Sequence, residues 1–81
     1  MIDRFALEEI VRKKNASEAR VAVYDQLSDF TLVQARASVN ADQLDVAAAW
    51  MEVTKFCLAK MDSEADYLQE LRKTLYKAEE S

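Results

Sequence analysis

Glycine, proline and histidine are all absent from this chain, and cysteine occurs once, as Cys57. Each absence removes a class of structure or chemistry. Tight turns rely on glycine and proline, whereas helix interiors exclude both, so a chain with neither reads as all-α. Without histidine there is no imidazole base for a Ser-His-Asp or Cys-His arrangement. Nor is there a Glu-x-x-His pair of the kind that builds di-iron sites in helical bundles. Without glycine there is no Gly-rich phosphate loop. A lone cysteine closes no internal disulfide, and a solitary thiol fits a reducing compartment. Long apolar runs are missing as well, since no stretch approaches the ~20 residues that a bilayer span requires. The opening "MIDRFALEEIVRKK" lacks a basic segment followed by an apolar one. It reads as leaderless and cytoplasmic, with export routes that use no cleaved signal left open.

Positive charge is the scarcer sign: 11 basic residues stand against 15 acidic ones, for a formal net charge of −4. Binding a phosphate backbone needs a concentrated basic face. The one basic cluster is Arg12, Lys13 and Lys14, with Arg20 nearby. Cations at the end of a helix, where they complement its dipole, account for it more simply. Nucleic acid is therefore a disfavoured partner.

What is present is helix-forming throughout, in a single domain spanning residues 1–81. The spacing predicts a first helix over residues 2–14, with Ile2, Ala6 and Ile10 along one side and Asp3 in its first turn. "NAS" at 15–17 offers a C-cap followed by an N-cap, so the N-terminal arm has a break or kink in prospect near residue 15. A second helix runs from about Ser17 to Ser38. Ala19, Val23, Leu27, Phe30, Val33 and Ala37 recur at three and four, as on a core-facing stripe. Val21, Tyr24, Leu32 and Ala35 make a thinner stripe opposite. "VNADQ" supplies a turn, with Asn40 or Asp42 as caps and Asp45 in the next first turn.

From Ala41 the helical signal continues to about Ala78. Ser63 and Asp66 in "DSEAD" resemble a capping box only weakly, so one long helix is expected. Leu44, Met51, Leu58 and Ala65 recur every seven residues. Ala47, Met61, Leu68 and Leu75 fill the matching second positions, with Thr54 the weak member. That is the a/d pattern of a coiled coil. The fold class expected is an all-α helical hairpin with a long C-terminal helix, of up to three helices if the arm breaks near residue 15.

Chemistry-bearing residues offer little. Cys57 lies in an apolar helix, where a thiol behaves as a small hydrophobe. Asp25 with Asp29 and Asp62 with Asp66 each share a helix face, which a solvated acidic surface explains. The reading is of a protein that is not an enzyme, with no catalytic residues, no metal ligands and no cofactor.

The informative segment is "DVAAAWMEVTKFCLAKM", residues 45–61, whose apolar residues point more than one way around a helix. Leu44, Ala48, Met51 and Leu58 mark one side. Val46, Val53 and Phe56 mark another, with Trp50 and Cys57 between them. One hairpin partner covers one broad stripe, so the remainder meets a folded-back first helix, a second copy or another protein. Trp50, Val53, Phe56, Val46, Met51 and Cys57 are the expected partner-binding residues, Trp50 the expected anchor. The function this implies is that of a small helical interaction protein, a subunit, adaptor or chaperone whose partner is a protein or its own copies. In layout, an arm, a short polar turn near residue 40 and a long C-terminal helix, the chain resembles the hairpin subunits of type III secretion needles and inner rods. That resemblance spans most of the chain, implies a polymerising subunit and rests on no motif. Those families commonly carry proline in the turn, and "VNADQLD" has none. A helical regulator that binds nucleic acid is the third alternative.

Overall fold

A computed structural model describes residues 3–80 and shows two antiparallel helices, α1 (Arg4–Asn40) and α2 (Leu44–Glu80), joined by a three-residue turn. Each helix has 37 residues, which at 1.5 Å per residue is ~55 Å of rod. The hairpin measures 61 × 14 × 13 Å, with a radius of gyration of 18.1 Å. A compact domain of this length would have a radius of ~12 Å. The all-α hairpin expected from sequence is what forms. No helix among the described residues is long and apolar enough to cross a membrane.

The α1 N-terminus is capped by Asp3, whose carboxylate accepts from the Ala6 N–H at 2.7 Å. Ile2, the expected first core residue, lies outside the described residues. The turn between the helices is a Schellman-type C-cap. The Asp42 N–H donates to the Val39 carbonyl at 3.0 Å, and the Gln43 N–H donates to the Ser38 carbonyl at 2.8 Å. Closing those bonds puts Asp42 at φ 60°, a left-handed conformation that aspartate tolerates better than most residues. Asp42 therefore ends α1 rather than capping α2, while Asp45 sits in the first turn of α2 as expected.

The N-terminal arm does not break near residue 15; α1 is continuous. An Asn and a Ser inside a helix cost only a few tenths of a kcal/mol each relative to good helix formers. Contacts on both sides of the site outweigh that. Lys14 pairs with Glu18 at 2.9 Å across the expected break. Ser17 is fully buried and donates to the Glu64 carboxylate of α2 at 2.8 Å, and Arg20 pairs with the same carboxylate. Since α1 stays straight, it does not fold back over residues 44–61.

The helices meet along a seam of heptad spacing. On α1 positions 7, 10, 14, 17, 21, 24, 28, 31, 35 and 38 are all buried or half-buried. On α2 the matching positions are 47, 50, 54, 57, 61, 64, 68, 71, 75 and 78, and every other described residue of α2 is exposed. This corrects the expected facing of both helices. On α1 the thinner stripe containing Val21, Tyr24 and Ala35 faces inward, while Ala19, Val23, Leu27, Phe30, Val33 and Ala37 face out. On α2 Ala47, Thr54, Met61, Leu68 and Leu75 lie in the seam as expected. The alternate position is taken by Trp50, Cys57, Glu64, Leu71 and Ala78, and Leu44, Met51, Leu58 and Ala65 are exposed.

The reason is visible in the seam's chemistry. Around the turn it is lined by Ser28, Thr31, Ala35, Ser38, Ala47, Thr54 and Cys57, all buried. Hydroxyls there are satisfied locally: Ser28 donates to the Asp25 carbonyl at 2.8 Å and Ser38 to the Gln34 carbonyl at 2.8 Å. The Thr31 and Thr54 hydroxyls touch across the seam at 2.6 Å and also reach the Ser28 and Trp50 carbonyls at 3.1 and 3.0 Å. Two hydroxyl protons serve those three contacts, so one threonine donates to the other and the remaining proton goes to a carbonyl. Burial of a hydroxyl without a partner is costly, and no buried side-chain polar atom among the described residues lacks one. Hydropathy spacing alone does not register a seam made of small hydroxyl residues.

Candidate interaction surface

Seam geometry assigns the residues that flank each seam position to a side. The residue just before each seam position points to one broad face of the hairpin, and the residue just after it points to the other. In an antiparallel pair the preceding residues of both helices share a face. A groove lined by Arg20, Lys60, Ser63 and Tyr67 shows this, each of them preceding a seam residue. A second groove, lined by Leu32, Arg36, Val39 and Met51, shows the converse, each of them following one. The first face is called the front here and the second the back.

The front carries Val23, Leu27 and Phe30 from α1, and Val46, Val53 and Phe56 from α2. All six are exposed, with Phe30 54% and Phe56 59% accessible. Trp50 is half-buried at the edge of the seam, with the Phe30 ring meeting it edge-on at 6.0 Å between centroids and 85° between planes. An open groove beside it is lined by Val46, Ala49, Trp50 and Val53. Lys60 holds its ammonium 5.6 Å from the centroid of the Phe56 ring, a cation–π contact that leaves the charge in solvent.

The back carries Val39, Leu44, Met51 and Leu58, all exposed, with Leu32 half-buried among them. Met51 is therefore on the face opposite Val46, Val53 and Phe56. Cys57 lies on neither face; it is 4% exposed in the seam, covered by α1. Of the six expected contact residues, the structure thus gathers Val46, Trp50, Val53 and Phe56 on the front, puts Met51 on the back and removes Cys57 to the interior. Sequence spacing missed Val23, Leu27 and Phe30, having assigned them to the core. The signal that locates them is the heptad repeat of Ser17, Tyr24, Thr31 and Ser38, which is continuous but not hydrophobic.

Away from the turn the surface is largely ionic, with Phe5, Tyr67 and Tyr76 exposed among the charges. Glu64 receives Arg20 and the Ser17 hydroxyl. These donors favour its charged form, the Arg20 guanidinium most, and hold the carboxyl below the usual glutamate value against the opposing effect of partial burial. Glu18 is lowered chiefly by its hydrogen bond from Lys14 and also meets Arg72 of α2 at 3.7 Å. Glu9 is lowered chiefly by the hydrogen bond from Arg12. The basic cluster is therefore largely engaged: Arg12 by Glu9, Lys14 by Glu18 and Arg20 by Glu64. Cations held this way present little free charge to a phosphate backbone.

No protein-family profile, curated sequence or solved structure matches this chain.

Proposed function

We propose that this protein is a small non-enzymatic interaction protein, a helical subunit, adaptor or chaperone, that works by packing exposed apolar helix faces against its own copies or a partner protein. One observation carries the reading: near the turn, the hairpin buries serine, threonine, alanine and cysteine and turns its valines, leucines and phenylalanines outward. The largest side chain with essentially no exposure among the described residues is Ser17. Covering a residue such as Phe or Leu is worth about 1.5–3 kcal/mol, so several of them uncovered on two faces favour association. A seam of small residues also contributes little burial to hold 81 residues in order.

A second reading, a hairpin subunit that polymerises, is favoured by the presence of apolar residues on both broad faces. One apolar face closes a pair; two opposed ones let a third copy add.

Sedimentation equilibrium over the micromolar range, with helicity followed by circular dichroism, tests the leading reading. The expected result is a helical species heavier than the 9.2 kDa chain, or a stable complex with a protein recovered from the native host. A fully helical monomer at high concentration that captures no protein would sink it.

A further inference from the structure

We infer that the occupant of the front face is the back face of a second copy, so that hairpins stack front to back, side by side and in the same orientation. The inference rests on the self-association reading above and adds its geometry. Three features of the molecule point the same way.

The first is area. The hairpin exposes 6073 Å², whereas a compact protein of its mass exposes ~4,900 Å². The difference, ~1,100 Å², exceeds the ~800 Å² per partner that a standard stable interface removes. The elongated rod spreads that surplus along its length, including the turn-proximal surfaces where the apolar residues lie.

The second is height along the rod. Ser17 opposite Glu64 and Thr31 opposite Thr54 fix the register of the helices. Val53 and Phe56 on the front are therefore level with Leu27 and Phe30. Met51 and Leu58 on the back occupy the same span. On α2, a lateral translation with little axial shift therefore lays Val53 and Phe56 of one copy on Met51 and Leu58 of the next.

The third is charge. The front offers Lys60, which makes no ion pair within salt-bridge distance among the described residues and feels the Glu64 carboxylate only at longer range. At the level of Lys60, the back presents Asp25 and Asp62, with Asp29 one turn nearer the hairpin turn. None of the three has an ion-pair partner among the described residues, and Asp25 and Asp29 are like charges four apart on one helix face. Such a pair is mildly destabilising by itself. A lysine from the next copy neutralises it.

Two-fold pairing of fronts does less. With the axis parallel to the rod it sets Lys60 over α1 of the partner copy near Val23 and Leu27, where the front carries no carboxylate. With the axis perpendicular it overlaps only the turn-proximal halves. Either way Met51, Leu58 and Val39 stay uncovered on both copies. Front-to-back contact covers both faces with one kind of interface, and because it does not close it generates stacks.

Complementation of two blocked surfaces is the test, read by sedimentation velocity. Phe56→Glu blocks the front and Leu58→Glu blocks the back. The wild type is expected to grow with concentration and each variant alone to lose association at least tenfold. An equimolar mixture of the two is expected to form a 1:1 dimer through the front of one and the back of the other. Because a blocked protomer could fail to fold, a cross-linking arm uses unblocked surfaces in a Cys57→Ala background. Val53→Cys and Met51→Cys proteins, oxidised together, are expected to give mixed dimers well in excess of either homodimer. If the wild type associates but the mixture stays monomeric, or homodimers of either cysteine variant dominate, the front-to-back geometry is wrong while the interaction reading stands. If the wild type stays monomeric and fully helical, self-association itself is wrong and the surface belongs to a different protein.

Discussion

The two halves of this rod are built inside out with respect to each other. Toward the chain termini the seam holds Leu7, Ile10, Leu68, Leu71 and Leu75 beside Lys14, Ser17 and Glu64, all buried or half-buried, and the outside is largely ionic, with Phe5, Tyr67 and Tyr76 exposed among the charges. Toward the turn the seam holds Ser28, Thr31, Ala35, Ser38, Ala47, Thr54 and Cys57, with Trp50 half-buried at its edge the one large member, and the outside is apolar. The terminal half is the closer of the two to an ordinary amphipathic pair, with its leucines turned inward. The turn-proximal half is arranged so that its apolar residues are satisfied only from outside the hairpin. Within one chain of uniform helix, the interaction surface is thus marked by where the large side chains leave the seam.

The largest expected contrast is between one leucine and one phenylalanine. Leu68→Ala, in the terminal seam, is expected to destabilise the protomer by about 3 kcal/mol. Phe56→Ala, outside the seam, is expected to change protomer unfolding by no more than about 0.5 kcal/mol while weakening association. Urea unfolding of both variants at one fixed protein concentration, alongside sedimentation, checks this. Equal losses of protomer stability would erase the distinction between the halves.

Acid is expected to loosen the boundary between them next. The Glu64 carboxyl sits below its ordinary value in the folded state, so its contribution is present above the unfolded glutamate value and is lost as pH falls through the folded one. Glu9 and Glu18 are shifted the same way but sit on the surface, where screening makes their contribution small. Stability measured from pH 7 down to pH 3 should therefore decline, and Glu64→Gln should flatten part of that decline while lowering stability at neutral pH. An unchanged profile in Glu64→Gln would mean the Arg20–Glu64–Ser17 cluster does not hold the helices together.

A milder effect is expected in the polar seam. Replacing both partners of a buried hydroxyl pair by apolar groups of the same shape is nearly neutral or stabilising. Thr31→Val with Thr54→Val should stay within about 1 kcal/mol of the wild type by thermal unfolding. A large loss would show that the hydroxyl contact, rather than small side-chain size, sets the seam.

Smallest of all is the turn. Asp42 holds φ 60°, a conformation glycine adopts without steric cost. Asp42→Gly is expected to raise stability by a few tenths of a kcal/mol, seen as a small rise in Tm. A clear drop would mean the Asp42 side chain has a role in the turn beyond its backbone angle.

How far the sequence could be read is clearest residue by residue. Ala47, Met61, Leu68 and Leu75 were legible as a seam because they are apolar at heptad spacing. Trp50, Val53, Phe56 and Val46 were legible as a surplus, since no single neighbour could cover them together with Met51. Val23, Leu27 and Phe30 misled, because a hydrophobic stripe at three-four spacing ordinarily faces a core. Asn15 and Ser17 misled as well. Their capping signature is local, and the contacts that override it come from Glu64, 47 residues away from Ser17.

The absence of glycine and proline, the helix-forming composition and the polar "VNADQ" determined by themselves that this chain is an all-α hairpin with a turn near residue 40; that its arm is one helix and not two did not follow from them. Helical periodicity is a local property, and only "NAS" at 15–17 and "VNADQ" at 39–43 carry signals against it. Which side of each helix faces the other was decided only by the tertiary structure. Two stripes on each helix have heptad spacing, and hydropathy favours the larger side chains on both. Near the turn the smaller stripe is the one that lines the seam, because its side chains let the helices sit close and its hydroxyls reach carbonyls and each other, and farther along Glu64 finds Arg20 and Ser17. Those are pairings between residues distant in sequence, and spacing along one helix carries no record of them.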